Sequence, residues 1–177
     1  MKKLAAGLVL LLVLAGAFPS LGITAQKDDV AVSSFSVIIN YDLSVESMVA
    51  HGKYDWKDDG ITSENFPTTR KDKANLVLEL VYFDQALTSK EVLKELDKRG
   101  LRPAEFHELL AFGVKYPEEQ RKYIIVALSS VWQLLDGFSG SLYLFVNGDK
   151  RILGLDYFEY LHNSKWGTSC RFAAVRK

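Results

Sequence analysis

Hydrophobic and polar positions divide this chain into segments of different period. Leu4 to Phe18 is an unbroken apolar run, preceded by Met1-Lys2-Lys3 and closed by Pro19, Ser20 and Gly22. Residues 26–33 are mostly polar and are expected to form a flexible start. Phe35, Val37, Ile39 and Tyr41 then alternate with Ser36, Ile38 and Asn40, the period of two that predicts a strand. Ser44 is placed to cap a short helix through Val45, Met48 and Val49, which Gly52 stops. Residues 51–75 keep no period and predict a long loop, with Tyr54, Trp56 and Phe66 expected to pin it to the body.

From Asn75 to Phe83 both faces of the next strand are apolar, as in a strand covered on two sides. Thr88 with Glu91 three residues on is a capping box, Val92, Leu93 and Leu96 form one stripe, and Gly100 ends that helix. After Pro103, Phe106, Leu109, Leu110 and Gly113 follow helical spacing, and a further turn starts at Pro117. Tyr123 to Leu128 predicts a buried strand. Leu142 to Val146 and Arg151 to Leu155 flank Asn147-Gly148-Asp149-Lys150, in which Asn-Gly is a strong hairpin signal because both residues tolerate positive φ. Arg171 to Arg176 closes the chain as a strand. Strands followed by helices and then by hairpin-linked strands predict a single α+β domain over 26–177, mostly antiparallel, with two or three helices.

Composition adds three bounds. The chain is 48% hydrophobic, enough for a packed core, so disorder is excluded for most of it. Lys+Arg and Asp+Glu number 22 each, and only Lys2 and Lys3 precede the apolar run, so nothing resembles the basic footprint of a nucleic-acid binder. Cys170 is the one cysteine. No disulfide can form within the chain, and Cys170 is expected to be a small core residue.

The charged start, the apolar run and the small residues at Ala15-Gly16-Ala17 or Ile23-Thr24-Ala25 have the layout of a secretory signal peptide over 1–25. The competing reading is an N-terminal anchor, since a span needs about 20 apolar residues. Either reading predicts an extracytoplasmic domain, attached to a membrane through an uncleaved leader if at all.

Candidate chemistry is sparse. His51, His107 and His162 keep no metal spacing, and His107 is expected on a solvated helix face. Asp55, Asp58 and Asp59 offer oxygen ligands without the spacing of a calcium loop. No phosphate-binding glycine loop or nucleophile elbow occurs, and Ser129 and Ser130 have no His–acid pair nearby in sequence. No catalytic residue, metal or cofactor is assigned. The aromatic and amide residues of the last third, including Trp132, Tyr143 and Asn147, suit a recognition surface. Tyr157, Tyr160, His162, Asn163 and Trp166 are the group expected to be exposed there and to bind ligand.

The segment EVLKELDKRGLRPAEFHELLAF, the step to Trp132 and the ending RFAAVRK resemble a family of uncharacterised bacterial proteins. Its members carry G-L-R-P-A-T-x-x-E-L-L-A-F, L-G-S-x-W and R-F-L-A-V-R-K. The resemblance covers nearly all of the chain beyond the leader, with Glu105 in place of the family's Thr and Ser129 in place of its Gly. Gly100-Leu101-Arg102-Pro103 and Cys170-Arg171-Phe172 are more distantly similar to C-type-lectin-like domains related to formylglycine-generating enzymes. That likeness implies a ligand surface in the loop before the last strand. The enzymes' paired cysteines are missing, so their activity is not implied. The reading that results is an exported, non-enzymatic module binding an unknown extracytoplasmic ligand or cell-surface partner. A cell-envelope hydrolase and a structural envelope protein are the alternatives.

Overall fold

A computed structural model describes residues 30–133, 139–156 and 164–177. The chain runs β1 (Val30–Asn40), α1 (Val45–Gly52), β2 (Trp56–Lys57), β3 (Lys73–Phe83), α2 (Ser89–Lys98), β4 (Leu101–Pro103), α3 (Phe106–Lys115), α4 (Glu119–Lys122), β5 (Ile124–Gln133), β6 (Ser139–Asn147), β7 (Lys150–Asp156) and β8 (Cys170–Arg176). The strands form one sheet in the order β1-β3-β8-β5-β6-β7-β2, with β4 also pairing β8. Most pairs are antiparallel; β5–β8 and β2–β7 are parallel. The α+β class and the antiparallel bias follow the expectation. Residues 1–25, the expected leader, lie outside the described residues, and no helix among those described is long and apolar enough to cross a membrane.

Local chemistry explains the helix ends. The Ser44 hydroxyl accepts the Ser47 N–H at 3.1 Å, and Thr88 and Glu91 close a full capping box. Gly100 takes φ +68 after α2, where a side chain would be strained. In the β6–β7 hairpin Asn147 pairs with Lys150, so the turn falls on Gly148-Asp149. Gly148 has φ +65, while Asn147 stays in the strand. The turn therefore falls inside the Asn147–Lys150 segment expected to form it, with positive φ at the glycine.

The centre of the sheet is covered on both faces, as the apolar alternation of β3 requires. Leu78, Leu80, Ile125, Ala127, Ala173 and Val175 face α1 and α3. Val81, Phe83, Val126, Leu128, Phe172 and Cys170 face α2. Cys170 is buried, as expected of a core thiol.

Four expectations are corrected. β1 begins at Val30, so residues 30–33 of the expected flexible start are strand, paired from Val30–Phe83 onward. The long loop contains β2, and β3 starts at Lys73. His107 is 5% exposed, because α3 packs against α1 as well as the sheet and residues Phe106 to Gly113 are all buried. Tyr54 and Phe66 pin the loop as predicted, but Trp56 does not.

Candidate functional site

The Gly-Leu-Arg-Pro segment builds a buried polar strut. β4 brings Arg102 to the side chain of Glu108 on the first turn of α3, and the guanidinium grips the carboxylate through two bonds of 2.8 and 2.7 Å. Glu108 is fully buried and also accepts from Tyr41 Oη at 3.0 Å and from the Glu105 N–H at 2.7 Å. Burial alone would raise the Glu108 pKa; the Arg102 pair and the Glu105 N–H hold it below the usual carboxylate range. Burial and the neighbouring Glu108 push Tyr41 up to about 12. Glu105, the N-cap residue of α3, contributes its own carboxylate to Arg70 at 2.9 Å. Every oxygen of Glu108 is thus engaged, which suits a brace and not a proton carrier.

Beside this strut a cleft of about 290 Å³ is lined by residues including Asn65, Thr68, Glu105, His107 and Ser129. Its chemistry is already committed. The Ser129 hydroxyl donates to the Ala104 carbonyl, and Glu105 pairs with Arg70. Burial lowers the His107 pKa, and its ring lies 5.9 Å from both Tyr41 and Phe106. His51 is on the surface, and the remaining histidine, His162, lies outside the described residues. Asp55 and Asp58 accept the N–H groups of Arg151 and Gly60 at 2.7 and 2.8 Å. Among the described residues no cluster of His, Cys, Asp and Glu could hold a metal.

A buried guanidinium, which no motif announces, fixes the opposite corner. Arg151 donates to the carbonyls of Gly52 at 2.6 Å and Gly113 at 2.9 Å, and to Gln120 Oε1 at 2.9 and 3.1 Å. It also lies 4.9 Å over the Tyr54 ring. Gly52 and Gly113 leave the slot for that ring: a Cβ at either position would collide with Tyr54 atoms. The Tyr54 hydroxyl is buried and meets no partner among the described residues.

This corner holds an open face. The Asp55 and Asp58 N–H groups bond the Arg151 and Leu153 carbonyls at 2.9 and 3.0 Å, which makes Trp56 part of the sheet beside Ile152. Trp56 is nevertheless 51% exposed. On the same face Phe145 pairs with Ile152 and Tyr143 with Gly154, and the two rings are 5.2 Å apart. A Cβ on Gly154 would come within 2.5 Å of the Tyr143 ring, so glycine is what lets that ring lie flat. α2 covers the β3–β8–β5 part of this face, whereas the β6–β7–β2 part carries a cleft of about 490 Å³. Asp55, Trp56, Tyr143, Phe145, Asn147, Lys150 and Ile152 line it. Rings with a polar rim can stack on a flat apolar surface and orient it through hydrogen bonds.

The residues nominated from sequence fare differently. Tyr157, Tyr160, His162 and Asn163 lie outside the described residues. Trp166 is placed in the interior, 4% exposed, which corrects its expected exposure. Its Nε1 donates to Ser89 Oγ at 2.9 Å, its backbone bridges Leu87, and its ring meets Phe172 edge-on, so it ties the segment before β8 to α2. Sequence reasoning missed Trp56 as a surface residue. The available signal was its setting among Lys and Asp, in Tyr-Asp-Trp-Lys-Asp-Asp.

The chain matches no family model, no curated protein and no solved structure.

Proposed function

We propose that the protein is an exported, non-enzymatic binding module, and that the Trp56–Phe145–Tyr143 face is where it captures ligand. The observation that carries this reading is a half-exposed tryptophan held in strand register beside two further rings, with Asp55, Asn147 and Lys150 at the rim. A residue held this rigidly loses little entropy on binding, and an aromatic platform with hydroxyl-seeking neighbours suits a sugar ring of an envelope polysaccharide. The leader supports placement outside the cytoplasm, and the likeness to C-type-lectin-like domains points toward recognition. β7, which supplies Ile152 and Gly154 to this face, runs directly into residues 157–163, the segment nominated from sequence.

The test is a pull-down and fluorescence titration against cell-wall polysaccharides and their oligosaccharide fragments. Trp56→Ala should weaken binding by about tenfold or more, the loss expected of a central aromatic contact, with an unchanged melting temperature. Equal binding by wild type and variant would remove this face as the site.

A further inference from the structure

Arg171 is the accessible guanidinium that the fold holds in place without a countercharge among the described residues. Arg70, Arg99, Arg102, Arg121 and Arg176 each meet a carboxylate within 4 Å. Arg151 is buried and spends Nε, Nη1 and Nη2 on carbonyl oxygens. Arg171 is only half-buried and differs from both groups. It sits on β8 paired with Ile125 of β5, one residue beyond the last β3–β8 pair, Val81–Phe172, which leaves Tyr82 of β3 next to it. Its guanidinium lies 4.1 Å from the Tyr82 ring centre on β3 and 4.2 Å from that of Tyr123, the residue just before β5, so rings from both sides hold it. Nη1 donates to the carbonyls of Cys170 at 2.9 Å and Thr168 at 3.3 Å. Nε and Nη2 make no hydrogen bond to the described residues. They form the edge of the guanidinium that matches two oxygens of one oxyanion.

We propose that Arg171, clamped by Tyr82 and Tyr123, is the anchor of an oxyanion-binding site for a carboxylate or phosphate group. Side-chain alternation puts this site with Ala173 and Val175, on the sheet face opposite the Trp56 cleft, so it stands independently of the carbohydrate reading. The clamp supplies what a surface arginine ordinarily lacks. The planar group is held in one orientation before the anion arrives, so less freedom is lost on binding. The rings bracketing the guanidinium also offer apolar area to whatever carries the anion.

The experiment is a titration of the intact wild-type protein with inorganic phosphate and, separately, sodium acetate, following side-chain arginine Nε–H resonances by NMR. The Arg171 Nε–H signal should move saturably, with a dissociation constant on the order of millimolar, while sodium chloride at matched ionic strength moves it little. The tighter of the two anions identifies the group. Arg171→Lys keeps the charge but not the fork and should bind about tenfold more weakly; Tyr123→Leu, which leaves Arg171 in place, should bind about threefold more weakly. An Arg171 resonance that fails to move, or that moves equally with chloride, overturns the site. The primary readout is on the wild type, so the site stands or falls there even where a variant does not fold.

Discussion

Arg102 and Arg151 both brace the interior with a guanidinium, Arg102 from a partly exposed position and Arg151 from a buried one, and the fold receives them by opposite means. Arg102 meets a full charge, the buried carboxylate of Glu108, at two short bonds. Arg151 meets only neutral oxygens: the Gly52 carbonyl at the end of α1, the Gly113 carbonyl near the end of α3, and the Gln120 amide. Those helix-end carbonyls have no partner within their own helices, and the C-terminal end of a helix is partly negative, so a cation there is stabilised without an acid. The first brace is an ion pair with a titrating partner. The second satisfies hydrogen-bond acceptors that would otherwise be orphaned.

That difference predicts different responses to losing the arginine. Arg102→Met strands a buried carboxylate and should destabilise by about 3–5 kcal/mol. In the wild type Glu108 binds protons less readily when folded, so its contribution is complete above the usual carboxylate range and fades as pH falls through the depressed value. Without Arg102 burial dominates, the Glu108 pKa rises, and the deficit should be largest near neutrality and shrink in acid. Denaturant midpoints between about pH 4 and about pH 7 check this. Arg151→Met strands carbonyls that do not titrate. It should cost about 1–3 kcal/mol, with a deficit that stays level over the same interval. Matching pH slopes in the two variants would break the distinction.

The smallest expected effect has the opposite sign. The Tyr54 hydroxyl is buried beside Arg151 without a partner among the described residues, and burial raises its pKa. Tyr54→Phe removes an unmet donor while keeping the ring in its slot between Gly52 and Gly113. Thermal melts should show no loss, and a gain of up to about 1 kcal/mol. A clear loss would mean that the hydroxyl does contribute to this brace.

What sequence alone could show follows the range of the forces involved. Capping at Ser44 and Thr88, the glycine stop at Gly100 and the β6–β7 hairpin are set by neighbours a few residues apart, and they are where the pattern places them to within a residue. β2 and β4 are two and three residues long and have no period to detect; their partners β7 and β8 create them. His107 misleads because a helix packed on two sides buries polar positions as well, and its neighbour Glu108 is matched by an arginine from β4. Trp56 and Trp166 show the same limit at the candidate site. Both are tryptophans in polar loop sequence, and only long-range packing leaves one half-exposed and the other against Phe172. Arg151 carries no local signal, since its acceptors come from residues 31 to 99 positions away.

Cys170 sits at the start of β8, the strand that every part of the covered sheet leans on, and its side chain faces α2. The thiol is therefore a built-in reporter. The buried thiol is uncovered when the start of β8 opens, so the labelling rate measures how often that end of the strand comes apart. Because the chain has a single thiol, an unfolded molecule in oxidising surroundings can be crosslinked only to another molecule. Covalent dimers should therefore accumulate no faster than the thiol is uncovered by opening.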